Sequence, residues 1–242
     1  PCSRASETFL SDVRGFIVRQ KLFGVVMPPS VSEDERVVAI LKEAECPYVR
    51  IASVSLDEPR HMVVTNDSSG AAEAARHLAG LGHRRIAFIS GPDSFRSSHE
   101  RGRGFAEGLA EHGLTLDPSY IRVGAYTFES GVEAARDLLA MADRPTAIFA
   151  GNDEMAIGVM KAARDAGLDV PFDLSICGFD DLPMASRVWP NLTTVRLPIR
   201  DMGRMAAEKL TASIRGLDAA TLTQPEVRPS LVVRDSTAPL PG

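Results

Sequence analysis

Ala147-Ile-Phe-Ala-Gly-Asn-Asp-Glu-Met-Ala-Ile-Gly-Val-Met-Lys-Ala-Ala-Arg-Asp-Ala-Gly167 is the stretch on which the fold turns. Its first four residues are apolar in succession, as in a short strand buried on both faces rather than one. A helical pattern follows at once: Met155, Val159, Ala162 and Ala166 recur at three- and four-residue steps and form one buried stripe. Gly167 ends it, as a glycine after a last helical turn does. Between strand and helix stand Gly151, Asn152 and Asp153. Either the polar pair caps the helix, or it stands in a cleft and holds a ligand.

The same alternation runs outward in both directions. Strands are expected at Phe23–Met27, Tyr48–Ala52, Met62–Thr65, Ile86–Ser90, Tyr120–Val123, Leu174–Cys177 and Ser230–Arg234. Helices are expected at Ser32–Glu45, Ser68–Leu81, Glu100–His112, Ser130–Met141, Glu154–Ala166 and about Arg200–Arg215. Alternation of this kind predicts an α/β fold of parallel sheets with helices on both faces. After Cys177 the rhythm breaks. Gly178–Leu197 reads as a long loop followed by a strand.

The 242 residues suffice for one large α/β domain or two smaller lobes. A composition of 44% hydrophobic and 24% charged residues is that of an ordinary globular chain. The formal net charge of −5 argues against a broad basic face for nucleic acid. Cys2, Cys46 and Cys177 are odd in number and widely spaced, which suggests neither a disulfide framework nor a zinc site and fits a reducing compartment. The longest apolar runs are far short of the roughly 18 residues of a membrane span. The first residues, from Pro1 to Thr8, hold no apolar signal region and no initiating Met.

Enzyme signatures are missing. There is no G-x-S-x-G elbow, no phosphate-binding P-loop and no H-E-x-x-H. Gly102-Arg-Gly-Phe-Ala-Glu-Gly108 resembles a dinucleotide fingerprint, but its third glycine comes one place late and inside a helical pattern. The five histidines are dispersed, and His83, at a helix–strand turn, reads as structural. Polar residues gather instead behind strand ends: Ser90 to Arg101, Val123 to Tyr126 and Phe128, Ala150 to Asn152 and Asp153, and Cys177 to Asp180 and Asp181. In open parallel sheets ligands bind beyond the carboxyl ends of the strands, so these four loops are expected on one edge. An Arg, an Asn, an Asp and an aromatic there can bond and stack on a polyhydroxylated ring. Taken singly, Asp153 could be an N-cap, Arg101 a solvated helix residue and Asp180 a turn former.

These stretches together resemble the effector-binding core of the lac/gal repressor family of transcriptional regulators. The resemblance runs through Val64-Thr-Asn-Asp-Ser-Ser-Gly70, Gly82-His-Arg-Arg-Ile-Ala-Phe-Ile89, Arg101-Gly-Arg-Gly-Phe105 and Arg144-Pro-Thr-Ala-Ile-Phe149. It continues through Asn152–Gly158, Val170-Pro171, Gly178-Phe-Asp-Asp181, Pro190-Asn-Leu-Thr-Thr-Val195, Pro198 with Met202-Gly203, and Arg234-Asp-Ser-Thr237. Order and spacing hold over nearly the whole chain.

The resemblance implies two Rossmann-like lobes of the periplasmic-binding-protein type joined by three crossovers, with effector in the cleft between them. One lobe would comprise residues 1–66 and 196–222, the other 67–195 and 223–242. Ligand positions carried over from the family are Arg101, Asn152 and Asp180, then Ser97 and Tyr126, with Phe128 and Trp189 at the margin. Trp189 borders the cleft or serves a core or interface. Asp153 becomes the local helix cap and Asp181 a turn or supporting residue. No catalytic residue, cofactor or metal is implied.

The whole protein is expected to be a cytoplasmic homodimer. It would sense a sugar or related small polar metabolite and bind operator DNA through a helix-turn-helix that this chain lacks. It would have no membrane partner. A periplasmic sugar-binding transport protein and a doubly wound enzyme are the alternatives. The family core begins with a strand, a helix and a second strand that have no counterpart before Asp12, so an unpaired sheet edge is expected in the first lobe. The pocket position near Ala52, often polar in the family, is apolar here.

Overall fold

Apolar strands joined by amphipathic helices form two separate sheets in the computed structural model, which describes residues 8–217 and 227–240. The chain divides into two compact units, residues 1–65 with 198–227 and residues 66–197 with 228–242, and so passes between them three times. Cys2 and the expected boundary at 222/223 lie outside the described residues.

The smaller unit holds a parallel three-stranded sheet in sequential order, β1 (Val25–Met27), β2 (Tyr48–Ala52) and β3 (Met62–Val64). Helices α1 (Phe9–Gln20), α2 (Pro29–Ser32) and α3 (Glu35–Glu43) precede β2. Phe9, Ile17, Val37, Val38 and Leu41 from α1 and α3 close on Met27 and Tyr48 as one cluster. Helix α8 (Ile199–Ile214) packs against all three strands. β1 and β3 each have a single strand neighbour among the described residues, and Val26 of β1 is exposed.

The larger unit is a six-stranded sheet in the order β5-β4-β6-β7-β8-β9. Its strands are β4 (Ile86–Ser90), β5 (Ile121–Val123), β6 (Ala147–Ala150), β7 (Ser175–Asp180), β8 (Thr193–Arg196) and β9 (Ser230–Val232). The intervening helices are α4 (Asp67–Gly80), α5 (Arg96–Ala110), α6 (Phe128–Leu139) and α7 (Asp153–Asp165). Successive strand residues feed opposite faces. Phe88, Phe149, Cys177 and Phe179 pack with α4 and α5, whereas Ile89, Ile148, Ala150 and Ile176 pack with α6 and α7. The inner strands β4, β6 and β7 are therefore buried on both sides, which is why they read as nearly unbroken apolar runs.

Three expectations change. The last strand is antiparallel to β8 rather than parallel, because it joins the sheet edge with no helical crossover preceding it in its unit. α5 begins at Arg96, four residues before the expected start at Glu100. β7 continues beyond Cys177 to Asp180, in a segment expected to be loop. At Gly178 a Cβ would run into the Asp153 carboxylate, so only glycine lets the strand pass that close.

His83 is structural, as its turn position suggested. It is buried, and its ring nitrogens meet the Thr146 and Ser175 hydroxyls at 3.0 and 3.1 Å and the Ala238 carbonyl at 3.1 Å.

Candidate functional site

β4 lies between β5 and β6, so the chain leaves β4 toward one side of the sheet and β6 toward the other. α5 and α7, which follow these strands, lie on opposite faces. The carboxyl ends of β4 and β6 thus form a topological switch point, where open α/β sheets bind ligands. Arg101, Asn152, Asp180, Tyr126 and Ser97 are joined there by direct contacts.

Arg101 is at the centre and is buried rather than solvated. Its Nε donates to Asp67 Oδ2 at 2.8 Å and its Nη1 to the Gly151 carbonyl at 2.5 Å. Its Nη2 stands 3.5 Å from Asp180 Oδ1. The guanidinium carbon lies 3.8 Å from the centre of the Phe179 ring, within cation–π range. Burial alone lowers the pKa of this guanidinium, but Asp67 and Asp180 outweigh it and hold the charge firmly. Helix α5 supplies the rest of its wall, since Ser97 and Ser98 precede Arg101 by four and three residues and share its face.

Both serine hydroxyls meet Tyr126 Oη, Ser98 at 2.8 Å and Ser97 at 3.3 Å. The Tyr126 ring packs edge-on to Phe95 with centroids 5.8 Å apart. Tyr126 has φ +61°, a left-handed backbone unusual for an aromatic, and its ring covers Gly91 so closely that a Cβ there would collide.

The cap role expected of Asp153 falls to Asn152. Asn152 is the N-cap of α7: its backbone is extended, and its Oδ1 accepts from Met155 N–H at 2.9 Å. Its Nδ2 donates to the Tyr126 carbonyl at 3.1 Å, tying the Tyr126 loop to the helix start. Asp153 is the first helical residue, where a side chain no longer reaches back to the free N–H groups of the first turn. Its carboxylate is completely buried and accepts from Leu182 N–H at 2.7 Å and Thr194 Oγ1 at 2.5 Å. Burial, reinforced by Asp180 and Asp181, pushes its pKa up to about 7.

Asp180 and Asp181 both carry positive φ, 112° and 54°. Two consecutive non-glycine residues in that region need outside support. Asp153 supplies part of it through Leu182. Asp181 supplies the rest, accepting from Arg196 Nε at 2.5 Å and Arg234 Nη2 at 2.6 Å. Burial alone would raise the Asp181 pKa, but hydrogen bonds from Arg234 and Arg196 carry it below the usual carboxylate range. The Asp180 carboxylate, 24% exposed, is left facing Arg101. Burial pushes its pKa up to about 6 against the pull of Arg101.

Asp181→Ala is expected to destabilise the chain by about 1–3 kcal/mol, because the half-buried Arg234 loses its carboxylate. In the same variant, urea unfolding should show the loss and the Asp180–Leu182 amides should exchange faster. Unchanged amide protection there would mean that the pair does not support the bend.

Two marginal residues are not brought into this group. Trp189 is 89% exposed and lines a groove with Met160, Arg164, Leu168, Asp169 and Val170, beside the second half of α7. Phe128 opens α6 and packs against the core cluster on the α6–α7 side of the sheet. Sequence reasoning missed Asp67, Gly151 and Phe179 as partners of Arg101, and Thr194, Arg196 and Arg234 as supports of the Asp180 bend. Phe179 had one visible signal, its place beside Asp180 in Gly178-Phe-Asp-Asp181. No group of three or more His, Cys, Asp or Glu among the described residues is placed to hold a metal ion.

The chain belongs to the periplasmic binding protein-like domain family, whose model matches residues 75–237, and within it to the lac/gal repressor type of effector-binding core. It is 39% identical over 188 residues to Catabolite control protein A of Priestia megaterium, covering 77% of this chain and 56% of that protein. It is 39% identical over 225 residues to the HTH-type transcriptional regulator DegA of Bacillus subtilis, covering 92% of this chain and 66% of that protein. This chain therefore spans roughly half to two thirds of the length of these relatives. Among solved structures, the transcriptional regulator CelR–cellobiose complex superposes with a TM-score of 0.85 at 32% identity, covering 96% of this chain and 71% of that one. No helix among the described residues is long and apolar enough to cross a membrane.

Proposed function

We propose that this chain is the effector-binding and dimerisation part of a transcriptional regulator, and that a sugar or related small polar metabolite binds at the strand-end face of the larger unit. The observation that carries this reading is the pairing of Arg101 Nη2 with Asp180 Oδ1 across 3.5 Å. That gap is too long for a good hydrogen bond, and it offers a donor on one side and an acceptor on the other. A hydroxyl is both, so it can accept from Arg101 and donate to Asp180 at once. Tyr126 and Ser97 provide an aromatic edge and a further hydroxyl beside the guanidinium, 5.8 Å from the Tyr126 ring centre. The Asn152 amide organises the loop that carries Tyr126.

The relatives are regulators, which favours this reading over a transport module, and a binding site with no nucleophile–base pair fits sensing rather than turnover. Operator DNA would be met through a helix-turn-helix outside this chain, by a homodimer in the cytoplasm. Arg196 ends β8 directly before the chain leaves the larger unit at Leu197, so Asp181 links the bend at Asp180 to that crossing. Effector binding acts on DNA binding only if its affinity differs between two arrangements of the whole protein.

A thermal-shift panel of neutral sugars, nucleosides and purines tests the reading. At least one should raise Tm with a saturable concentration dependence, since a ligand at 100 times its Kd adds about 2.7 kcal/mol of stability. Asp180→Ala should remove the response. A panel member that binds the Asp180→Ala variant as tightly as the parent would show that the site lies elsewhere.

A further inference from the structure

We infer that Asp180 makes this site selective for uncharged ligands, so that a neutral polyol or nucleoside is accepted and its phosphorylated or carboxylated counterpart is rejected. The inference rests on the effector reading above and gives the charge class of the ligand. Arg101 carries one positive charge and lies between two carboxylates, with Asp67 at 2.8 Å and Asp180 at 3.5 Å. The guanidinium is therefore more than matched within the protein, and the group as a whole carries excess negative charge. Five N–H donors are available on a guanidinium. Asp67 and the Gly151 carbonyl take Nε and one bond from Nη1, which leaves Nη2 as the edge turned to Asp180.

A hydroxyl entering at that edge satisfies both partners. A carboxylate or fully ionised phosphate oxygen placed at that edge accepts only. It could bond Nη2 but would then meet the Asp180 carboxylate as a like charge.

Among the described residues of the larger unit, the neighbouring cations do not correct this balance. Arg196 and Arg234 are committed to Asp181, and Arg103, on α5, pairs with Glu100 and Glu107. Arg122 on β5 donates to the Ser119 and Ile121 carbonyls. Arg96, exposed in the first turn of α5, already has a partner. The start of α7 offers no anion seat either, because the Asn152 amide oxygen caps it and the Asp153 carboxylate lies immediately behind.

Isothermal titration of this chain with matched pairs tests the inference: glucose against glucose 6-phosphate, ribose against ribose 5-phosphate, galactose against galacturonate, and adenosine against adenosine monophosphate. For any pair in which a member binds in an Arg101-dependent way, the neutral member should bind at least tenfold more tightly. Asp180→Asn keeps a donor and an acceptor but removes the charge, so it should narrow that gap by threefold or more. An anionic member that binds the parent as tightly as its neutral counterpart, or more tightly, overturns the selectivity while leaving the effector site in place. A gap that Asp180→Asn leaves unchanged overturns the assignment to Asp180. If no member of any pair binds in an Arg101-dependent way, the effector reading fails, and the selectivity fails with it.

Discussion

Arg101→Ala is expected to lower the stability of the chain by about 3–5 kcal/mol, the usual consequence of removing one partner of a buried ion pair. The mechanism is the charge left behind. Asp67, nearly inaccessible to water, loses the guanidinium that balances its charge, and the buried Gly151 carbonyl loses its donor. The Phe179 ring loses its cation and gains a cavity of side-chain size. Arg101→Lys separates charge from geometry. Lysine keeps the positive charge but cannot reach Asp67 and Gly151 together with a planar fork, so it should lose less stability and still lose ligand. Urea unfolding followed by far-UV circular dichroism reads the first effect, and the calorimetric panel reads the second. A loss under about 1 kcal/mol for Arg101→Ala would be that of an exposed pair and would contradict the burial of this one.

The parts of this molecule that were legible from sequence are those whose local pattern and tertiary role agree. β4 and β6 keep the bounds expected of them, because strands covered on both faces are carried by nearly continuous apolar runs. α5 shows why other parts were not. Its first turn, Arg96-Ser-Ser-His, has no apolar periodicity, yet it is helical because Ser98 and Arg101 bury polar atoms against Tyr126 and Asp67. A helix that buries a hydrogen-bonded polar face does not announce itself by hydrophobic spacing. Arg50 is the same lesson inside a strand. It is fully buried within Tyr48–Ala52, held by the Ser32 carbonyl at 2.7 Å and Glu35 at 2.6 Å, partners 18 and 15 residues away in sequence. At Asn152 and Asp153 the ambiguity was intrinsic, since both residue types cap helices well. The choice was made by Thr194 and Leu182, which reach Asp153 from elements 41 and 29 residues further on.

Asp153 carries the second large expected effect, and its sign follows from the side on which its proton affinity departs from the ordinary. Its pKa in the folded protein is about 7, raised from the ordinary 3.8 by burial. Between those values the folded state holds the proton and the unfolded state does not. Stability therefore falls as pH rises through this window, by up to a few kcal/mol, since each tenfold difference in proton affinity is worth about 1.4 kcal/mol. Asp180, pushed up to about 6, adds a decline of the same sign. Asp153→Asn removes the ionisation while keeping an oxygen for Leu182 N–H and an amide that can donate to Thr194 Oγ1. It should match or exceed the parent's stability at pH 8 and flatten the profile between about pH 4 and 7. Asp153→Ala, by contrast, leaves a buried N–H and a buried hydroxyl without their acceptor and should cost about 2–4 kcal/mol near pH 4, where the parent holds its proton, and less at pH 8. Trp189 is too exposed to report on the core, so unfolding is best followed by circular dichroism at several pH values. A parent whose stability rises from pH 5 to pH 8, with Asp153→Asn showing the same rise, would mean that Asp153 is ionised in the folded protein and compensated by its hydrogen bonds alone.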